Sequence, residues 1–318
     1  MLNSFLSPKL LYLSASAFAF ILCAAALALF KNKLPRDKGR EFAVDGSLSA
    51  GKIRGAGIVF VCTFIISSLL FVSASSLEYL FYYILIFFAM LSGYLDDRSE
   101  KPWGEYKKGI IDLAISFLTS LCFVHYNHSL LHINLFGFGL NIHPIAYVIL
   151  GTLLVWMLIN AVNCSDGIDG YSSSLTIISL IGAATVILIG DGDSKAAFCA
   201  VLMIFSLLPY LWKNSQPSTM LMGDAGSRAL GLFLCILMFK TGNALLTVPL
   251  CFMLCLDGLV GIVKIVTIRF LHINPLKNIR TPLHDHFRKN KGWSNSQVIF
   301  RFCIIQAIIT AATVICLK

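Results

Sequence analysis

Four short polar stretches in an otherwise apolar chain carry residue types able to do chemistry. Asp96-Asp97 close the apolar run Ala89-Met90-Leu91-Ser92-Gly93-Tyr94-Leu95. Adjacent carboxylates repel unless a cation or basic group is near. Their hard oxygens suit Mg²⁺, which takes one or two carboxylates plus substrate phosphates; alone, the pair also fits a solvated helix end. Asn163-Cys164-Ser165-Asp166-Gly167-Ile168-Asp169-Gly170 sets Asp166 and Asp169 three apart, on one face if helical. Its glycines allow a ligand close to the backbone; the plainer alternative is a polar turn. Gly223-Asp224-Ala225-Gly226-Ser227 is a small-residue turn at a helix start. Such a turn exposes N–H groups that favour phosphate. Asp224 could add a Mg²⁺ ligand there, or Asp224 or Ser227 could simply cap the helix. Last comes Pro282-Leu283-His284-Asp285-His286-Phe287, with Arg280, Arg288, Lys289 and Lys291 around it. A zinc site is disfavoured, because no cysteine or third histidine joins the pair; His272 lies ahead of a Pro-containing stretch. A histidine pair in a basic loop better suits a diphosphate or an anionic leaving group.

The elements that must position these groups follow from composition. Of 318 residues, 57% are hydrophobic and 13% charged, with a mean hydropathy of +0.81. Soluble domains average about 45–50% apolar and about 25% charged, so a cytosolic globular enzyme is excluded, and so is disorder. The chain is expected to be an all-α polytopic integral membrane protein. Spans of about 20 apolar residues fall at 8–30, 56–75, 78–95, 109–126, 143–162, 174–190, 195–212, 229–241, 244–268 and 298–317, about ten transmembrane helices. The first lacks a basic start and a cleavage site, so it is kept as a span rather than a signal peptide. The halves show no repeat, and no linker divides the chain, so residues 1–318 are taken as one membrane-embedded domain. The ten cysteines include no C-x-x-C pair; nine sit in apolar runs as small hydrophobes, and Cys164 lies among polar residues.

Loops 31–54, 96–108, 163–173, 213–228 and 269–301 hold 20 Lys/Arg, while the other side has only Lys9, Lys195, Lys240 and Lys318. The basic side is cytoplasmic by the positive-inside rule, which sends both termini outside. The net charge of +9 is thus ascribed to loops facing anionic lipid rather than to nucleic acid. All four polar stretches then share the cytoplasmic face, as converging active-site loops must. The outer-loop histidines His125, His128, His132 and His143 have no such company. Metal-assisted phosphoryl chemistry at the membrane surface is the expectation. No G-x-x-x-x-G-K-[ST] loop is present, so the loops themselves must bind phosphate, and a lipid substrate would explain the ten helices.

Taken together, the motifs resemble the polyprenyl-phosphate N-acetylhexosamine-1-phosphate transferases. The matching pieces are Gly93-Tyr94-Leu95-Asp96-Asp97, Asn160-Ala161-Val162-Asn163 through Gly170, and Met222 to Ser227 with Ala229-Leu230-Gly231. Thr281 to Phe287 follows, then Lys291-Gly292-Trp293 and Arg301-Phe302. They stand in the family's order across roughly residues 90–317, and the family's ten helices with both termini outside agree with the topology above. The resemblance implies a Mg²⁺-dependent bacterial inner-membrane enzyme. It would transfer a sugar-1-phosphate from a UDP-N-acetyl amino sugar to undecaprenyl phosphate, releasing UMP. Carried over, Asp224 is the Mg²⁺ ligand. Asp96 and Asp97 handle the lipid phosphate, with Asp96 the best base. Asn163, Asp166, Asp169 and Asn214 line the nucleotide site, and His284 and His286 meet the diphosphate or sugar. A homodimer is left open.

Three departures bear on the donor. The family's histidine cluster is three in a row, and here Asp285 is the middle residue. Lys52-Ile53-Arg54-Gly55-Ala56-Gly57 stands where a Thr-Pro-Thr-Met-Gly-Gly element is found in the peptidoglycan branch. Leu221 replaces an aromatic two before Gly223-Asp224. Asp97-Arg98 and the first loop lean toward relatives using UDP-GlcNAc. The longer C-terminal match leans toward those using UDP-N-acetylmuramoyl-pentapeptide to make lipid I for peptidoglycan, and this is the favoured donor. An inactive relative serving as scaffold is weighed because Asp285 and Leu221 break the pattern. An ion-coupled transporter is the remote alternative; its intramembrane candidates would be Asp112, able to snorkel, and Asp257 with Lys264, seven apart in the ninth span.

Overall fold

The computed structural model describes residues 7–37, 39, 49–72, 76–135, 138–190 and 192–318. Lys38 and Arg40 of the first basic loop, and the end of the second expected span at 73–75, lie outside the described residues. Helices form at all ten expected positions: α1 (Pro8–Phe30), α2 (Gly57–Phe71), α3 (Leu77–Arg98), α4 (Glu105–Tyr126), α5 (Pro144–Ser165), α6 (Tyr171–Ile189), α7 (Ser194–Asn214), α8 (Gly223–Lys240), the pair α9 (Thr247–Leu250) and α10 (Phe252–Phe270), and α12 (Asn295–Cys316), with α11 (Leu283–Lys291) before the last. A hairpin of β1 (His132–Leu135) and β2 (Phe138–Asn141) joins α4 to α5. Among the described residues, seven helices, α1, α3 to α7 and α12, are long and apolar enough to cross a membrane. Their outer faces carry exposed Leu13, Ile21, Leu29, Phe88, Leu153, Ile304 and Ile308, as lipid contact requires. All ten cysteines are free, and Cys316 is the exposed one among them.

The ninth expected span departs from a single straight helix. It breaks at Cys251, and α9 and α10 meet at 94°. Pro249 lies in the short α9, and its ring removes a backbone donor. The freed groups find a partner in Gln306 of α12, whose Nε2 donates to the carbonyls of Pro249 (3.0 Å) and Leu250 (3.0 Å) while its Oε1 accepts from Met253 N (2.9 Å). An interrupted helix within an apolar assembly persists only where such groups are satisfied.

α8 is the pillar of the bundle: every residue from Gly223 to Lys240 is buried. It packs most extensively against α3 and α5, then α2 and α6. Small residues permit this. A side chain on Gly57 of α2 would meet the backbone nitrogen of Gly226 at 2.1 Å, so the two helix starts touch backbone to backbone, the contact that small residues give membrane helices.

Opposite polar clusters cap the bundle. Far from the four sequence motifs, Lys240 at the end of α8 reaches Glu78 of α3 (2.8 Å), Asn127 after α4 (3.0 Å) and Asp193 before α7 (3.2 Å). Tyr82 Oη donates to Glu78 (2.8 Å) and Tyr79 Oη to Asp193 (2.6 Å). Lys240 is thus a buried ion-pair centre tying four helix ends. Removing one partner of such a group strands the others. Lys240→Met is expected to lower stability by about 3 kcal/mol, read as a fall in the thermal unfolding midpoint in detergent, whereas Lys195→Met, half-buried on the first turn of α7, leaves it unchanged.

Candidate active site

The opposite pole is assembled around the start of α8. Gly93 of α3 lies so close that a side chain there would meet the Asp224 carbonyl at 2.3 Å. One turn later, at the end of α3, Asp96 and Asp97 therefore stand beside Asp224. Asp97 Oδ2 accepts from Ala225 N (3.2 Å), so a carboxylate from α3 caps α8. Gly223, at φ +67°, leaves room for it; a side chain there would meet Asp97 Oδ2 at 2.1 Å.

Three cations neutralise these acids. Arg54 Nε meets Asp97 Oδ1 (2.7 Å), and its terminal nitrogens meet Asp37 (3.0 Å) and Asp224 (3.6 Å). Lys108 of α4 pairs with Asp96 and with Asp224 (3.2 Å); Asp96 also accepts from Trp103 N (2.7 Å). Arg228, one turn after Asp224, reaches it at 3.5 Å and Asp112 at 3.1 Å. Burial opposes the charged form of Asp224, but Lys108, Arg228 and Arg54 outweigh it and hold its carboxyl below the usual carboxylate range. Burial likewise opposes the charge on Arg54, and Asp97 and Asp224 overcome it.

Expectations for Asp112, Asp257 and Lys264 need correction. Asp112 does not snorkel: it is buried against Arg228, because an apolar helix flank offers it no water. Asp257 and Lys264 do not face each other. Lys264 Nζ donates to the carbonyl of Ile279 (2.6 Å), while Asp257, fully buried, binds His284. The residues that sequence reasoning missed are Arg54, Lys108, Arg228, Lys52 and Asp257. Arg228 carried a legible signal, the i,i+4 spacing from Asp224; for Lys52, Arg54 and Lys108 the acidic partners lie 12 to 170 residues away, and Asp257 is on a different helix from His284.

The Asn163–Gly170 segment ends α5 and turns into α6. Asn163 Nδ2 donates to Ser227 Oγ (2.8 Å), joining it to the Asp224 helix. Asp169 accepts from Lys52 (3.1 Å) and from Ser218 N (3.2 Å). Asp166 is half-buried at the end of α5. Asn214 braces the turn: its Oδ1 accepts from Gly170 N (2.8 Å), and its Nδ2 donates to the Met220 carbonyl (2.8 Å). The two departing positions have partners. Leu221 uses its backbone to hold the first loop, donating to the Ile53 carbonyl (2.7 Å) and accepting from Ala56 N (3.1 Å). Asp285 pairs with Arg288 (3.1 Å) on α11. His286 Nδ1 accepts from Arg280 N (3.3 Å), beside a cavity of about 620 Å³ lined by Lys264, Lys277, Asn278, Ile279, Arg280 and Asn290. Phe287 stacks on Trp293 (4.3 Å) and meets Phe302 (5.4 Å), which anchors α11 to α12.

Among the described residues no three His, Cys, Asp or Glu side chains form a ready metal cage. The donor set does fit a hard cation held by one or two carboxylates and completed by substrate phosphates, with Asp224 a buried oxygen donor at the helix start. The pole as a whole combines a helix N-terminus, cations and carboxylates, the equipment for handling a phosphate diester or diphosphate.

Comparison with known proteins agrees with this chemistry. Residues 79–242 match Glycosyl transferase family 4. The phospho-N-acetylmuramoyl-pentapeptide-transferase of Treponema pallidum (strain Nichols) is 37% identical over 295 residues, covering 87% of this chain and 81% of that protein. Proteins of the same name from Nitratiruptor sp. (25% identical; 82% and 80% covered) and Staphylococcus saprophyticus (28%; 79% and 81%) match as well.

Gly223→Ala forces a positive φ on a side-chain-bearing residue and a clash with Asp97. A loss of about 2–3 kcal/mol is expected, measured by thermal unfolding. Gly104→Ala, at φ −62° with nothing within 4 Å of the added carbon, should leave the midpoint unchanged.

Proposed function

Because the chain belongs to glycosyl transferase family 4, we propose that it transfers phospho-N-acetylmuramoyl-pentapeptide from its UDP-linked donor to undecaprenyl phosphate, releasing UMP and forming lipid I for peptidoglycan. The observation that carries this reading is the meeting of Asp96, Asp97 and Asp224 at the N-terminus of one buried helix, where an anionic lipid, a diphosphate and a divalent cation can converge. The motif-bearing pole is the cytoplasmic one, supported by the 20-to-4 bias in basic residues. The chain makes ten membrane crossings as a single domain in a bacterial inner membrane, with both termini outside.

Asp224 would hold Mg²⁺, with Asp96 or Asp97 able to lend a second oxygen. A cation bound there would supply charge neutralisation on the diphosphate. Arg54, Lys108 and Arg228 balance the charge of the three acids, and their donor groups can also serve phosphate oxygens. Asp96 and Asp97 receive the lipid phosphate, with Asp96 the base that readies it for in-line displacement. Asn163, Asp166 and Asp169 line the nucleotide; Asn214 serves it by fixing the turn at Gly170. His284 and His286 meet the diphosphate or sugar, and the basic cavity next to His286 draws the anionic donor in.

Arg54 on the catalytic carboxylates favours one second reading, in which UDP-GlcNAc is the donor, since that loop departs from the peptidoglycan branch. Purified protein with Mg²⁺, undecaprenyl phosphate and each UDP-sugar in turn decides between them. UMP release is expected with UDP-N-acetylmuramoyl-pentapeptide; release with UDP-GlcNAc alone overturns the donor, and none with any donor overturns the enzyme. Asp224→Asn is expected to lower turnover by at least about a hundredfold with an unchanged melting midpoint, and near-normal activity would remove its metal role. For topology, alkaline phosphatase fused after Lys318 should be active, and fused within 269–301 inactive.

A further inference from the structure

His284 and Asp257 form the most enclosed polar pair of the site. The Asp257 carboxylate is fully buried and His284 is 2% exposed. Oδ1 accepts from the backbone N–H of His284 at 2.8 Å, and Oδ2 lies 2.7 Å from the ring Nδ1. One carboxylate on α10 thus fixes both the backbone and the ring of the first turn of α11. It is one turn and a half beyond the break at Cys251, so the bend between α9 and α10 sets the direction from which it arrives. The other ring nitrogen, Nε2, faces the Asn163–Gly170 turn so closely that a side chain on Gly167 would meet it at 2.5 Å. Tyr171 flanks the ring at 5.7 Å between centroids. Asp285 Oδ1 stands 3.7 Å from Nε2, too far for a hydrogen bond.

We propose that Asp257 is a positioning residue that fixes the proton of His284 on Nδ1 and presents Nε2 to the substrate at the nucleotide turn. The inference rests on the transferase reading above and deepens it. A carboxylate offers acceptors only, so both groups bonded to Asp257 must donate, and the ring proton belongs on Nδ1. Packing alone would not need this. An amide at 257 would fill the same volume, accept from the backbone through its oxygen and donate through its nitrogen. Nδ1 would then become an acceptor, and the proton would move to Nε2. A histidine held in place in the wrong tautomer loses its catalytic role while its geometry survives.

The test compares Asp257→Asn, Asp257→Glu, His284→Asn and the double variant Asp257→Asn/His284→Asn in the purified protein with Mg²⁺, undecaprenyl phosphate and the donor. Asp257→Asn is expected to reduce kcat by about a hundredfold or more, with the donor KM within about threefold and little change in melting midpoint. Asp257→Glu, which keeps two acceptors, should recover activity to within about tenfold of the parent. The double variant should be no worse than His284→Asn, because residues acting as one unit are not additive. Additive losses, or equal failure of Glu and Asn, overturn the proposal. ¹⁵N-histidine spectra give a readout independent of turnover. With His284 assigned by its loss in His284→Asn, the parent should carry its proton on Nδ1 and Asp257→Asn on Nε2; the Nε2 form in the parent overturns the proposal. Should Asp257→Asn fail to fold, the Glu variant and the parent spectrum still decide. Absence of UMP from the parent would fell the transferase reading and leave the spectra to judge the pair.

Discussion

Three carboxylates buried side by side repel one another strongly where water cannot screen them. At the start of α8, Asp96, Asp97 and Asp224 stand in that position because glycines let α2 and α3 lie against the helix backbone. Arg54, Lys108 and Arg228 cancel the repulsion, each bridging two or more acids from different parts of the chain. This network joins the first loop, α3, α4 and α8. Each cation is confined by the acids it serves, and each acid has a cationic partner. The arrangement prepares the site electrostatically before any ligand arrives, which is where preorganised polar groups have their largest effect.

The remainder of the bundle holds that pole in register. Lys240, at the far end of the same helix, ties α3, α4 and α7 through Glu78, Asn127 and Asp193. α8 is therefore fixed at both ends by ionic contacts and along its length by apolar packing. The break before α10 has a related role. A straight helix would carry Asp257 along the bundle axis, whereas the 94° bend brings it to His284, and Gln306 makes the bend tolerable by taking up the exposed backbone groups.

Much of this was legible beforehand for definite reasons. Lipid demands long apolar helices, so α1, α3 to α7 and α12 appear as uninterrupted hydrophobic runs. Polar residues are expensive in such a chain, so Asp96-Asp97, Asn163 to Gly170 and Gly223 to Ser227 stood out, and the structure gathers them at one pole. Asp285 and Leu221 seemed to weaken the pattern; Asp285 is paired with Arg288, and Leu221 works through its backbone. The bend at Cys251 was hidden because Pro249 sits in an unbroken apolar stretch, where hydropathy is blind to direction.

The sequence by itself determined the solvent the protein lives in, the approximate helix positions and the residue types of the site, since each depends on local composition. Only the tertiary structure decided the partners. Arg54 could not be matched to Asp97 and Asp224, nor Asp257 to His284, from spacing, because those pairings depend on which helix faces approach and on a 94° change of course. Coulomb energy and hydrogen bonding act over a few ångströms, and in this chain those ångströms separate residues as much as 170 positions apart in sequence.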